Sequence, residues 1–162
     1  MATVSLKSAK APVARIGSTP YGTLNGLPFP IETTSSGAVK GSDASQTGTT
    51  GIGDVVRVGV IPAGQRLLEL TATIKTAFTA SVTANIGFAY CDGVDSTEVP
   101  QDANYFAAAA ALSSTGVVRK TAATTSVTLP KDAFLTLTFA GAANAKAAAA
   151  EFVVFSVTEG TV

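Results

Sequence analysis

The chain has 162 residues, 46% of them hydrophobic, and eleven Lys and Arg balance eleven Asp and Glu. That is enough apolar material for one domain and an appendage, and a net charge of zero provides no field to draw the protein to nucleic acid or to an anionic membrane. Histidine is absent and cysteine occurs once, which excludes Ser-His and Cys-His catalytic pairs, an intrachain disulfide and a cysteine-built metal cage.

Met1 to Lys10 carries lysines with no hydrophobic signal region behind them, and no run of about twenty apolar residues follows to span a bilayer. The expectation is a protein that does not cross a membrane by the Sec route. Thr19-Pro20-Tyr21-Gly22 and Leu27-Pro28-Phe29-Pro30-Ile31 join prolines to large apolar groups, a combination that favours extended backbone and groove-filling contacts. Ser35 to Thr50 runs through Ser, Gly, Thr, Ala and Asp with almost nothing to bury, so little offsets the entropy of ordering it. Lys7, Lys10, Arg15 and Lys40 against Glu32 and Asp43 make this part mildly basic. Residues 1–50 are therefore expected to be an extended N-terminal arm that orders only against a partner, with Tyr21, Leu24, Leu27, Phe29 and Ile31 as its contacts. Residues 51–162 are expected to form the folded domain.

From Gly51 onward the pattern is that of strands. Asp54 to Ile61 and Gln65 to Phe78 flank a Pro62-Ala63-Gly64 turn. In the second of them Leu68, Leu70, Ala72 and Ile74 fall on one face and Glu69, Thr71, Thr73 and Lys75 on the other, because strand side chains repeat every two residues. Further strands are predicted at Ser81 to Cys91, Gly116 to Thr121, Thr125 to Leu129, Ala133 to Ala140 and Glu151 to Val157. With no long amphipathic helix between them, the fold class is all-β, an antiparallel β-sandwich. Its expected core is Val56, Val58, Leu68, Leu70, Ile74, Ile86, Phe88, Val118, Val127, Leu135, Leu137, Phe139, Phe152 and Val154, or their strand neighbours if a face is inverted. Two alanine tracts interrupt the pattern. Asp102 as N-cap and Ala107 to Ala111 predict one or two helical turns over Ala103 to Leu112, and Ala142 to Ala150 reads as a long loop with some helical tendency.

The wording of Gly53 to Gly64 (strand, Pro-Ala-Gly, strand) is followed by Asn85-Ile86-Gly87-Phe88-Ala89 and then by an acidic loop. Next come a segment at Tyr105 to Arg119 and closing strands at Ala133 to Phe139 and Glu151 to Glu159. In order and composition this resembles the small jelly-roll head decoration, or cement, proteins of tailed bacteriophages, over roughly two thirds of the chain and without any invariant chemical motif. The resemblance implies a jelly-roll-like sandwich on the outer surface of a virion capsid, assembled in the host cytoplasm. It also implies contacts with the major capsid protein; self-association as a dimer or trimer is expected to add multivalency on a symmetric lattice, and the residues themselves predict no cofactor and no metal.

Asp92, Asp95, Glu98 and Asp102 have no local counter-charge and could gather oxygens around Ca²⁺, but the spacing is not an EF-hand, and a solvated acidic loop is the preferred reading. Asp92 with Glu98, or Glu69 with Glu151, are carboxylate pairs of the kind that hydrolyse glycosides, yet the chain has no Trp and three Tyr with which to stack a sugar. Gly51-Ile52-Gly53 precedes a strand rather than opening a helix, so it is no phosphate cradle. Cys91 is expected to be a buried, inert thiol. The expected function is thus non-enzymatic: a decoration protein that stabilises contacts between coat subunits. The alternatives are a carbohydrate-binding or host-attachment module, with Tyr90 and Tyr105 as its aromatic candidates, and a fibre or tail component.

Overall fold

A computed structural model describes residues 2–6, 24–42, 49–121 and 125–159. Within them the chain forms β1 (Thr3–Ser5), β2 (Leu24–Glu32), β3 (Val55–Ile61), β4 (Gln65–Thr76), β5 (Thr83–Tyr90), β6 (Asp102–Ala111), β7 (Gly116–Thr121), β8 (Ala133–Ala140) and β9 (Ala149–Thr158), and no helix. Strands β2 to β9 are one antiparallel ribbon rolled up. β5 pairs with β6 at its closed end, followed by β4 with β7, β3 with β8 and β2 with β9. Rolling brings β4 against β9 and β5 against β8, which closes two sheets in the orders β2-β9-β4-β7 and β1-β3-β8-β5-β6. This is the β-sandwich that the strand pattern predicted, its strands in a jelly-roll-like order.

The core lies between the sheets and contains most of the residues expected there. Val56, Val58, Leu70, Ile74, Ile86, Phe88, Leu135, Leu137, Phe139, Phe152 and Val154 are all buried, while Val118 and Val127 pack half-buried against them. Leu68 is the exception. The β4 ladder slips between Leu67 and Glu69, so an extra residue resets the alternation and Leu67 takes the inward place. A second slip between Arg57 and Gly59 resets β3, which turns Ile61 inward in place of Val60. Gly59 at that slip lies beneath the ring of Phe29: a Cβ there would stand 2.3 Å from Phe29 Cδ1. The bare glycine lets β2, in one sheet, reach across to β3 in the other.

Three expectations are corrected. Leu24–Glu32 is not part of an arm waiting for a partner; it pairs with β9 over nine consecutive residues without a slip, and Phe29 and Ile31 are 8% and 1% exposed. Burying two such side chains contributes about 1.5–3 kcal/mol each, which together with the ladder offsets the ordering cost within this chain. The helix expected over Ala103 to Leu112 is strand β6. One or two helical turns are marginal on their own, whereas the extended chain pairs with β5 and buries Tyr105, Phe106, Ala107 and Ala110. Thr125 to Leu129 is not a full strand; it joins the start of β4 through the Arg66–Thr128 bridge and the bonds Leu67 N–H to Val127 O and Leu129 N–H to Gln65 O.

The loop at 141–148 is ordered by Asn144, which is fully buried. Its Nδ2 donates to Thr33 Oγ1 and Lys146 O, and its Oδ1 accepts from Thr79 N and Oγ1. One amide thus ties together three loops, leaving none of its polar atoms unpaired.

Candidate interaction surface

The five residues expected to touch a partner are separated by the fold. Tyr21 lies outside the described residues. Leu27 is half-buried against the core, and Phe29 and Ile31 are inside it. Leu24, at the start of β2, is 60% exposed. The alternation is the cause: odd-numbered residues of β2 face inward and even-numbered ones outward.

Registration with β9 shows what Leu24 belongs to. Leu24 stands opposite Val157, Gly26 opposite Phe155 and Pro28 opposite Val153, and directly opposed residues share a face. Leu24, Pro28, Val153, Phe155 and Val157 therefore form an apolar strip on the outer face of the β2-β9 corner, with Leu24 and Pro28 exposed and the others partly so. The Phe155 ring lies beside Gly26, where an added Cβ would be 3.7 Å from its Cε1. Across the sheet the strip is bordered by the ion pairs Lys75–Glu151 at 2.8 Å and Arg119–Glu69 at 3.7 Å. Val153 and Phe155 were missed as surface residues, although β9 carries apolar residues on both of its faces. That pattern marks a strand expecting cover on two sides.

β2 is also the outer edge of its sheet. Thr33 N–H donates to Ala148 O while Glu32 O accepts from Lys40 N–H, so the odd-numbered residues bond to β9 and the even-numbered ones direct their backbone outward. Pro28 and Pro30 fall on the outward row, where two donors that would recruit another strand are missing.

The acidic loop after β5 satisfies itself. Asp92 is bonded to Lys131 Nζ at 2.9 Å and accepts from Val94 N–H; Lys131 holds its carboxyl below the usual aspartate range. Asp95 Oδ1 accepts from Ser96 N–H and Gln101 N–H, and Asp102 Oδ1 from Asn104 N–H. Among the described residues no three carboxylate or other ligating groups converge on a point that could hold a metal ion. In the carboxylate pairs, Asp92 is held by Lys131, Glu69 by Arg119 and Glu151 by Lys75.

Cys91 is exposed rather than buried, because it lies one residue past the end of β5. Partial desolvation of its sulfur, helped by Asp132, pushes the thiol up to about 11, so it stays protonated and weakly nucleophilic near neutral pH. Tyr90 and Tyr105, the aromatics that a sugar-binding face would need, are only 2% and 3% exposed. Tyr90 donates to Val99 O; Tyr105 Oη donates to Thr125 O at 3.2 Å and accepts from Val127 N–H at 3.1 Å. Neither ring is available to a glycan.

The class that these features define is a small jelly-roll-like β-sandwich with an apolar outer strip beside a proline-blunted edge. Solved structures similar to it in fold come from phage capsids. The chain is similar to one in the capsid of Ralstonia phage GP4, with a TM-score of 0.64 and 18% sequence identity over 99% of this chain and 100% of that one. It is also similar to one in the capsid asymmetric unit of cyanophage Pam1, with a TM-score of 0.56 and 16% identity over 93% of this chain and 95% of that one. At these identities the likeness is one of fold, running end to end. No protein-family model and no curated protein matches the chain.

Proposed function

We propose that this protein is a structural component of a phage virion that binds the outer surface of the capsid and stabilises contacts between subunits of the major capsid protein. The observation that carries this reading is the extent of the match to the phage GP4 capsid chain. It covers 99% of this chain and 100% of that one, so the two share one sandwich fold from end to end. The virion is assembled in the host cytoplasm, and the protein acts by binding and not by catalysis.

Mechanism in this reading is linkage. A protein that binds the junction between coat subunits, and not the dispersed subunits, stabilises the assembled state by RT ln(1 + [L]/Kd), about 2.7 kcal/mol per site at a hundredfold excess over Kd. The strip of Leu24, Pro28, Val153, Phe155 and Val157 is the contact face. Tyr21, three residues before Leu24, belongs to the same contact. Association of copies as a dimer or trimer adds multivalency on a symmetric lattice.

Purified protein added to particles that lack it should co-sediment with them and raise the temperature at which they release DNA. The L24E/F155E double variant alters only outward-facing positions, so it should keep its own melting temperature within a few degrees and bind at least tenfold more weakly. Failure of the wild-type protein to bind capsids, or its appearance on tails alone in electron micrographs, would overturn the capsid role. Equal binding by the variant would overturn the choice of face.

A further inference from the structure

β1 stands apart from the rolled ribbon. Thr3, Val4 and Ser5 lie opposite Val55, Val56 and Arg57 in parallel, whereas every other strand pair among the described residues is antiparallel. Val55 N–H donates to Ala2 O at 2.8 Å, Leu6 N–H to Arg57 O at 3.0 Å, and Ala2 N–H to Asp54 Oδ1 at 2.7 Å. Val4 and Leu6, two residues apart, are 2% and 6% exposed. The edge of β3 is thus a slot for a short extended segment, with backbone bonds for affinity and apolar seats at alternate positions, as in binding by strand addition.

Along the chain Leu6, which follows β1, is joined to β2 through the 17 residues 7–23. Their contour length is about 56–61 Å. A compact body of this size has a radius of gyration of about 15 Å, hence a diameter of about 40 Å. β1 can therefore reach the slot of an adjacent copy, and pairing there makes every contact that pairing in its own copy makes. Among the described residues the two arrangements make the same contacts, and linked modules compete with separate ones at concentrations on the order of 1 mM. Copies held side by side, or protein at that concentration, bring the neighbour's slot into competition.

We infer that β1 is an exchangeable strand and that the β3 edge takes β1 from a second copy of this chain, linking copies by reciprocal or cyclic exchange. This rests on the purified protein alone and stands or falls without capsid binding. Thr3, exposed, and Val55, opposite it, provide the test. T3C and V55C are prepared separately as full-length chains, each with C91A to remove the exposed native thiol. They are then mixed in equal amounts from about 10 μM to about 1 mM, equilibrated and treated with a short bis-maleimide.

The expected result is a crosslinked dimer specific to the mixture, at least tenfold more abundant at the top of the range than at the bottom, and lost when Val4→Asp is added to the T3C chain. The T3C/V55C double variant serves as the reference for pairing within one copy. If it closes within single chains while the mixture yields no dimer at any concentration, exchange is refuted. If neither crosslinks, the β1–β3 pairing itself is refuted, and the proposal with it.

Discussion

β2 and β6 are both edge strands, and they are held in place by opposite means. β2 runs nine residues in unbroken register with β9, its outward row blunted by Pro28 and Pro30. β6 touches β5 at four registered positions; between Ile86 and Phe88 the single residue Gly87 faces the four residues 103–106. A Cβ on Gly87 would stand 1.9 Å from Asp102 O, so only glycine admits this detour. The detour throws Tyr105 and Phe106 inward, where the rings meet edge to face at 4.9 Å. β2 is secured by an unbroken backbone ladder together with Phe29 and Ile31, and β6, with its broken ladder, chiefly by aromatic anchors. An edge can be stabilised through either, and the two respond differently to substitution.

The largest effect is expected from Ile31→Asp in β2. A carboxylate at a position 1% exposed has no partner in the core, so the cost should exceed about 4 kcal/mol, with loss of folded protein at 37 °C by circular dichroism. A cooperative melt at the wild-type temperature would show that β2 is not built into the sandwich. Phe106→Ala should cost about 3–5 kcal/mol in urea unfolding through the cavity it leaves, whereas any alanine substitution at an outward residue of β2 should cost less than about 1 kcal/mol. Comparable losses at both kinds of position would erase the distinction between anchor and ladder.

Tyr105→Phe keeps the ring and removes the hydroxyl that meets Thr125 O and Val127 N–H. It should cost about 1–2 kcal/mol, and hydrogen exchange at Val127 should accelerate. The smallest change in stability, within about 0.5 kcal/mol, is expected for the P28V/P30V double variant. Its effect should be on solution behaviour instead: two restored outward N–H groups make β2 a template for another strand, so light scattering should report self-association at lower concentration than for the wild type.

Much of the sandwich was legible in the chain. Gly116–Thr121 and Ala133–Ala140 form as expected, residue for residue, and the other confirmed strands differ at their ends by one to two residues. Strand alternation is a local property, written in side chains two residues apart. The alanine tract of β6 was misread because alanine favours a helix wherever nothing else decides, and what decides here is pairing with β5 from about twenty residues away. β2 was misread for a similar reason. Its prolines argue against a strand until that strand is known to be an edge, and the partner that makes it one, β9, lies more than a hundred residues further on. The apolar outer strip was half visible: the sequence points to Leu24, but Val153 and Phe155 join it only through the β2-β9 register.

The sequence by itself determined that the chain is all-β, that Ser-His and Cys-His pairs and an intrachain disulfide are closed to it, and which residues make most of its core, because composition and two-residue periodicity need no knowledge of distant neighbours. The tertiary structure decided which strands are edges, where β3 and β4 slip by a residue, that residues 24–32 belong to the body, and which apolar side chains meet on one outer face. Each of those depends on which segments pair across the chain, and pairing is a property of the rolled ribbon as a whole.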